Sequence, residues 1–356
     1  MRSLPNRWVL VVSLSILGML LSEVLSFNVA PLIRAATHGP LAVAATIAVA
    51  HLGYFALLVL AADVVIRFRI RDFVSLALLG SLYGLLLEGV FADRVFLPGP
   101  GPSLLGLSLS SLAYPALCWH PVIDFAGAFF LLRAVRRGTL RPGLDRFLCP
   151  QALLVAALAV AWFSSSKAPW VTRQFPAGIP LSIHILWIVY PLALAGLALR
   201  AATAPSLTLP RSTLLRPWHY PLLLAPLGIV ALIRTGSLLA SGRAHAVFAL
   251  LLVVAAYAVL LSVWLARRSP LPNVSILDED ATGTPPFSWL AYARACVVVI
   301  ATWAVFVLLA GPLGRVMAMG WLALALVGVA FAAGFPLYVL GRLAFRRPDR
   351  SVTLPP

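Results

Sequence analysis

Apolar residues run along the chain in blocks of membrane-crossing length, separated by short polar stretches rich in arginine. A helix needs ~20 apolar residues to cross the hydrocarbon core of a bilayer. Ten blocks read as such helices, at residues 8–27, 41–66, 73–92, 113–135, 148–164, 178–200, 219–241, 244–266, 288–311 and 316–341. The pattern predicts an all-α polytopic membrane helix bundle of about ten transmembrane helices, in one integral membrane domain over 1–356. Trp8, Trp119, Trp218, Trp264 and Trp289 fall near block ends, where amphipathic rings anchor at the interface. The first block comes after Arg2 and Arg7 as a signal peptide would. It continues past Glu23 towards Phe27 with many spans behind it, and so reads as a retained helix.

The loops orient the bundle. With the N-terminus inside, 20 of the 27 basic residues fall on the cytoplasmic side and 6 on the other, leaving Arg234 inside a block. The positive-inside rule then places both termini in the cytoplasm and predicts an even number of spans. Two connections differ from the rest. Residues 93–112 carry P-G-P-G-P and then an apolar, serine-bearing stretch that suits an interfacial or re-entrant segment. Residues 269–287 hold Asp278, Glu279 and Asp280 and read as a solvated cytoplasmic acidic loop. No internal repeat is evident. The intramembrane acids all fall in the first four blocks, which counts against an inverted-repeat transporter.

Composition agrees with this reading. Of 356 residues 62% are hydrophobic and 11% charged, with a mean hydropathy of +0.99; soluble domains average ~25% charged. The net charge of +16 is scattered between apolar blocks rather than gathered in a patch, so it marks topology and not a nucleic-acid surface. The expected place is the inner membrane of a prokaryote. Cys118, Cys149 and Cys296 lack the close spacing of a cysteine metal site and read as free thiols.

Charged or titratable residues inside the blocks are the candidate chemistry, because a charge in hydrocarbon costs several kcal/mol and such residues usually face a cavity. Glu23, His51, Glu88, His120, Asp124, His184 and Arg234 all fall in the outer half of the predicted bilayer. His120 and Asp124, in W-H-P-V-I-D, are spaced to share a helical face. Glu88 lies on the preceding helix with Gly84 and Gly89 beside it, and a short connection favours antiparallel packing of the two helices. These three form the expected catalytic core, with a divalent metal at Glu88, His120 and Asp124 as one version of it. Arg234 could hold an anionic group, and Glu23 is the second candidate for substrate contact. His51 and His184 read as packed, hydrogen-bonded histidines, and Asp63 with Arg67 as a helix-surface ion pair. Three acids against one arginine leave an excess of negative charge, to be balanced by protons or a cation.

No phosphate-binding loop, zinc-protease helix, serine-hydrolase elbow or dinucleotide fingerprint occurs. Glu88 with His120 on the next helix resembles the layout of the CAAX-protease and bacteriocin-processing membrane hydrolases. Leu87 stands where that family has its first glutamate, Ala116 where it has phenylalanine, and the asparagine expected after His184 is missing. The chain is therefore read without a family. The leading expectation is a membrane-embedded hydrolase or transferase acting on a lipid-linked or membrane-borne substrate. The alternatives are a proton- or cation-coupled transporter and a structural or assembly subunit.

Overall fold

In the computed structural model the described residues are 6–24, 35–92, 94–97, 102–136, 181–203, 214–268, 275–277 and 287–345. Helix α1 (Asn6–Met19) runs into a π-helical turn, Leu20–Val24. Helix α2 (Pro40–Arg67) is next, and then α3 (Phe73–Leu86), which ends in a second π-helical turn, Leu87–Phe91. A 3-10 turn (Arg94–Phe96) and a two-stranded hairpin (β1 Ser103–Leu104, β2 Leu107–Ser108) lead to α4 (Leu109–Arg136), whose segment Leu112–Ala126 is π-helical. The remainder is α5 (Leu181–Ala202), α6 (His219–Ala240), α7 (Ala244–Ala266) and α8 (Trp289–Phe345). Six stretches are long and apolar enough to cross a membrane: Pro40–Arg67, Phe73–Phe91, Leu109–Arg136, His219–Ala240, Ala244–Ala266 and Leu326–Phe345. The protein is a predominantly helical membrane bundle.

The ends have local causes. Pro40 opens α2, where its missing N–H costs nothing, after Gly39 turns the chain at φ +94°. Asp72 caps α3: it accepts from the Ser75 backbone N–H at 2.8 Å and from the Ser75 hydroxyl at 2.8 Å. The blocks at 41–66, 73–92, 219–241 and 244–266 match their helices within a residue or two, and 113–135 lies inside α4. The block at 148–164 lies outside the described residues. The blocks at 288–311 and 316–341 form one helix of 57 residues in place of the two expected. Its length, about 85 Å at 1.5 Å per residue, exceeds a single crossing. The expected connection, residues 312–315, begins with Pro312, but proline within a helix removes one hydrogen bond and need not end it.

Helices α3 and α4 are mostly buried, whereas α6 buries no residue and presents Leu222, Leu232 and Ile233 outward. This contrast separates a central pair from a periphery suited to lipid contact. The central pair approaches closely at glycines. A Cβ on Gly80 would lie 2.8 Å from Pro121 Cα, and one on Gly84 would lie 2.2 Å from the Ala116 carbonyl oxygen. Small residues at such a crossing let two backbones come together.

One end of the bundle is tied by buried polar groups. The Arg268 guanidinium donates to the carbonyls of Phe68 and Arg69 at 2.6 and 3.0 Å, and also reaches Asp72 and Ser75. Its burial pushes the guanidinium pKa down, with the charge of Asp72 opposing. Part of the acidic loop is not solvated as expected. Ser275, Ile276 and Leu277 are buried, Ile276 N–H donates to the Ile70 carbonyl at 2.9 Å, and Arg136 donates to the Leu277 carbonyl at 2.6 Å. The reason is composition: the S-I-L stretch is apolar enough to pack beneath the helices.

Asp63 and Arg67 also depart from a surface pair. The two are bonded at 2.5 Å, but Asp63 is only 2% exposed. Its carboxylate further accepts from Tyr220 OH at 2.5 Å and from the Leu215 backbone N–H at 2.9 Å, tying α2 to α6.

Candidate functional site

Three π-helical segments converge at one place, and each brings a polar side chain to it. The segment Leu87–Phe91 carries Glu88, Leu112–Ala126 carries His120 and Asp124, and Leu20–Val24 carries Ser22. A π turn adds a residue to the helical repeat and changes which side chains face inward; such turns recur at functional sites. Pro115 and Pro121 lie within the longest of these segments.

His120 is the centre of the network. Its Nε2 lies 2.8 Å from Glu88 Oε1, and its Nδ1 lies 2.9 Å from Asp124 Oδ2. Tyr83 OH donates to the same Asp124 oxygen at 3.2 Å. Ser22 Oγ stands 3.4 Å from Nδ1, a weak contact, and itself accepts from Tyr54 OH at 2.6 Å. Residue exposure falls from 7% at Glu88 to 3% at His120 and 0% at Asp124, so the chain of contacts runs inward from Glu88. The outer carboxylate oxygens differ from the inner ones. Glu88 Oε2 and Asp124 Oδ1 are buried and accept no hydrogen bond among the described residues.

Charge is settled by counting protons. Each imidazole–carboxylate contact needs one hydrogen between its heavy atoms, and a neutral ring supplies only one. The two bridging protons can be an imidazolium between two carboxylates, or a neutral ring with one carboxylic acid. Every such arrangement leaves a single net negative charge on the unit. That charge is costly in a low-dielectric interior unless a further proton or a cation joins it. Among the described residues, Arg94, half-buried on the adjoining 3-10 turn, is a cation whose charge favours ionised Glu88.

The residues expected from the sequence separate into two groups. Glu88, His120 and Asp124 meet. Arg234 stands exposed on α6, and the hydrogen bonds to Glu88 Oε1 and Asp124 Oδ2 come from His120 and Tyr83. Glu23 belongs to the π turn beside Ser22, but its side chain, like that of His184, lies outside the described residues. His51 pairs elsewhere, with Tyr190 OH of α5 at 2.5 Å. Sequence reasoning missed Tyr83, Ser22 and Tyr54. Their hydroxyls sit within apolar blocks, which is the signal that could have pointed to them. The metal version of the site gains no support. Among the described residues no group of three or more His, Cys, Asp or Glu side chains is placed to hold an ion. The two carboxylates address opposite nitrogens of one ring, so no shared point offers a free imidazole lone pair.

Comparison with protein-family models, with curated proteins and with solved structures finds no match. Fold and site together define a helical membrane protein with a buried, hydrogen-bonded Glu–His–Asp cluster.

Proposed function

We propose that the protein is an enzyme of a prokaryotic inner membrane, a hydrolase or transferase acting on a lipid-linked or membrane-borne substrate, with Glu88 as its general base. The observation that carries this reading is the division of labour on Glu88: His120 holds Oε1 at 2.8 Å, while Oε2 is left to act. Glu88 takes a proton from water or from an acceptor hydroxyl at Oε2, and the freed oxygen forms the new bond to the substrate's electrophilic centre. Glu88 then returns the proton to the leaving oxygen, so protons balance over the cycle. His120 orients Glu88 and Asp124 orients His120, the layered support that acid–base groups require. Glu23, beside Ser22, remains a candidate for substrate contact. The arginine distribution supports cytoplasmic termini, and a ten-crossing topology requires the chain to fold back near Gly311–Arg315.

The test compares membrane lipids and lipid-linked intermediates, by mass spectrometry, in a deletion strain complemented with wild type, Glu88→Gln or His120→Ala. Purified protein incubated with the same lipid extract provides the direct assay. Loss of turnover in both variants, with folding retained, is expected. Turnover retained in both would refute the role of Glu88.

A second reading, proton-coupled transport, is favoured by the net negative charge of the same buried unit. It predicts proton flux in proteoliposomes carrying an internal pH-sensitive dye, lost in Glu88→Gln, with no lipid product.

A further inference from the structure

Resting on the acid–base reading of Glu88, we propose that the group received there is an O–H or N–H donor, a hydroxyl or an ammonium on a membrane-borne chain, and not a phosphate or carboxylate. Both unsatisfied carboxylate atoms of the cluster, Glu88 Oε2 and Asp124 Oδ1, are acceptors, and both belong to residues more than nine-tenths buried. A buried acceptor without a partner is costly, and a hydrogen-bond donor relieves it. A carboxylate or phosphodiester oxygen supplies no proton at neutral pH, and a phosphate monoester that keeps one hydroxyl still brings a full negative charge to Oε2.

Charge points the same way. With its two bridging protons the Glu88–His120–Asp124 unit is already negative, and an anionic head would place a second negative charge against the first. Among the described residues the other groups bonded into the unit are hydroxyls, Tyr83, Ser22 and Tyr54, and these add no positive charge. Arg94 offsets part of the excess through space, yet Oε2 accepts no hydrogen bond from it. An ammonium meets both needs, acceptor and charge; a hydroxyl meets the first and is also the species that Glu88 can deprotonate. The occupant is membrane-borne because Glu88 belongs to an apolar stretch long enough to cross a membrane, Phe73–Phe91, with Leu85 and Leu87 buried and Phe91 half-buried along the same helix.

The test is calorimetric titration of the full-length protein in nanodiscs with dodecylamine, dodecan-1-ol and dodecyl phosphate, using Glu88→Gln as the control for lipid partitioning. The expected result is saturable binding of the amine, the alcohol or both to wild type, at least tenfold weaker in Glu88→Gln. Dodecyl phosphate should show no difference between the two proteins. Which of the first two probes binds tells ammonium from hydroxyl. Binding of dodecyl phosphate that depends on Glu88 would overturn the proposal, as would the absence of any Glu88-dependent binding. Competition in wild type alone repeats the test without the variant, since dodecyl phosphate displacing bound dodecylamine or dodecanol would also overturn it. Correct binding with turnover intact in Glu88→Gln would instead refute the acid–base reading and leave the donor class standing.

Discussion

Replacing Gly84 by alanine should loosen the site without touching any of its polar atoms. The added Cβ would lie 2.2 Å from the Ala116 carbonyl oxygen and 2.8 Å from His120 Cβ, against ordinary contacts of 3.4–4 Å. The nearest obstacle is backbone, so no rotamer change relieves it, and α3 must retreat from α4 by about 1 Å. Overpacking of this kind costs about 1–3 kcal/mol. The same retreat acts on the contact between Glu88 of the α3 extension and His120 of α4. Its 2.8 Å would stretch towards ~3.8 Å, beyond hydrogen-bond range. Loss of a bond to a charged group removes about 1.5–3 kcal/mol. The assay is denaturant unfolding of the purified protein in mild detergent, read beside turnover or Glu88-dependent binding. Gly228→Ala is the control. Nothing lies within 4 Å of its new Cβ, and alanine in a helix gains up to ~1 kcal/mol over glycine. If Gly84→Ala were as stable and as active as wild type, the close crossing of α3 and α4 would be wrong.

Other contacts give four more expected outcomes. Tyr83→Phe removes the donor to Asp124 Oδ2 and leaves the ring in place, so stability should fall by about 1–2 kcal/mol, measured by unfolding, and turnover should fall without complete loss. Asp63→Ala strands the Leu215 N–H and should cost about 1–3 kcal/mol by the same measurement; the Tyr220 hydroxyl keeps its bond from Arg67, which is partly exposed. Arg268→Lys cannot span two carbonyls, Asp72 and Ser75 at once, and should destabilise the end that holds residues 275–277, seen as faster hydrogen exchange at Ile276. Reporter fusions after Arg141 and Arg350 should be active as cytoplasmic fusions and one after Leu313 as an external fusion; a cytoplasmic signal at Leu313 would refute the fold-back of α8.

The site was legible in part, and unevenly. His120 and Asp124 could be paired because four positions on one helix are neighbours in almost any winding. Glu88 could be added because α3 and α4 are joined by a short connection and glycines flank the glutamate. Arg234 could not be judged in this way, since hydropathy does not tell which way a peripheral helix is turned, and α6 proved to expose it. Asp63 looked superficial because its partner is four residues away; its burial depends on Leu215 and Tyr220, more than 150 positions later.

By itself the sequence determined that this is a helical membrane protein, because hydropathy sums over some twenty residues and tolerates errors at individual positions. It also supplied the arginine asymmetry on which orientation rests. Only the tertiary structure decided which polar atoms meet. Each extra residue in a turn rotates all later side chains of that helix by about 100°, so three π-helical segments determine that Ser22, Glu88 and His120 face one another. How α3 and α4 then meet is set by packing between them, close at Gly80 and Gly84, and leaves no period in the chain to read.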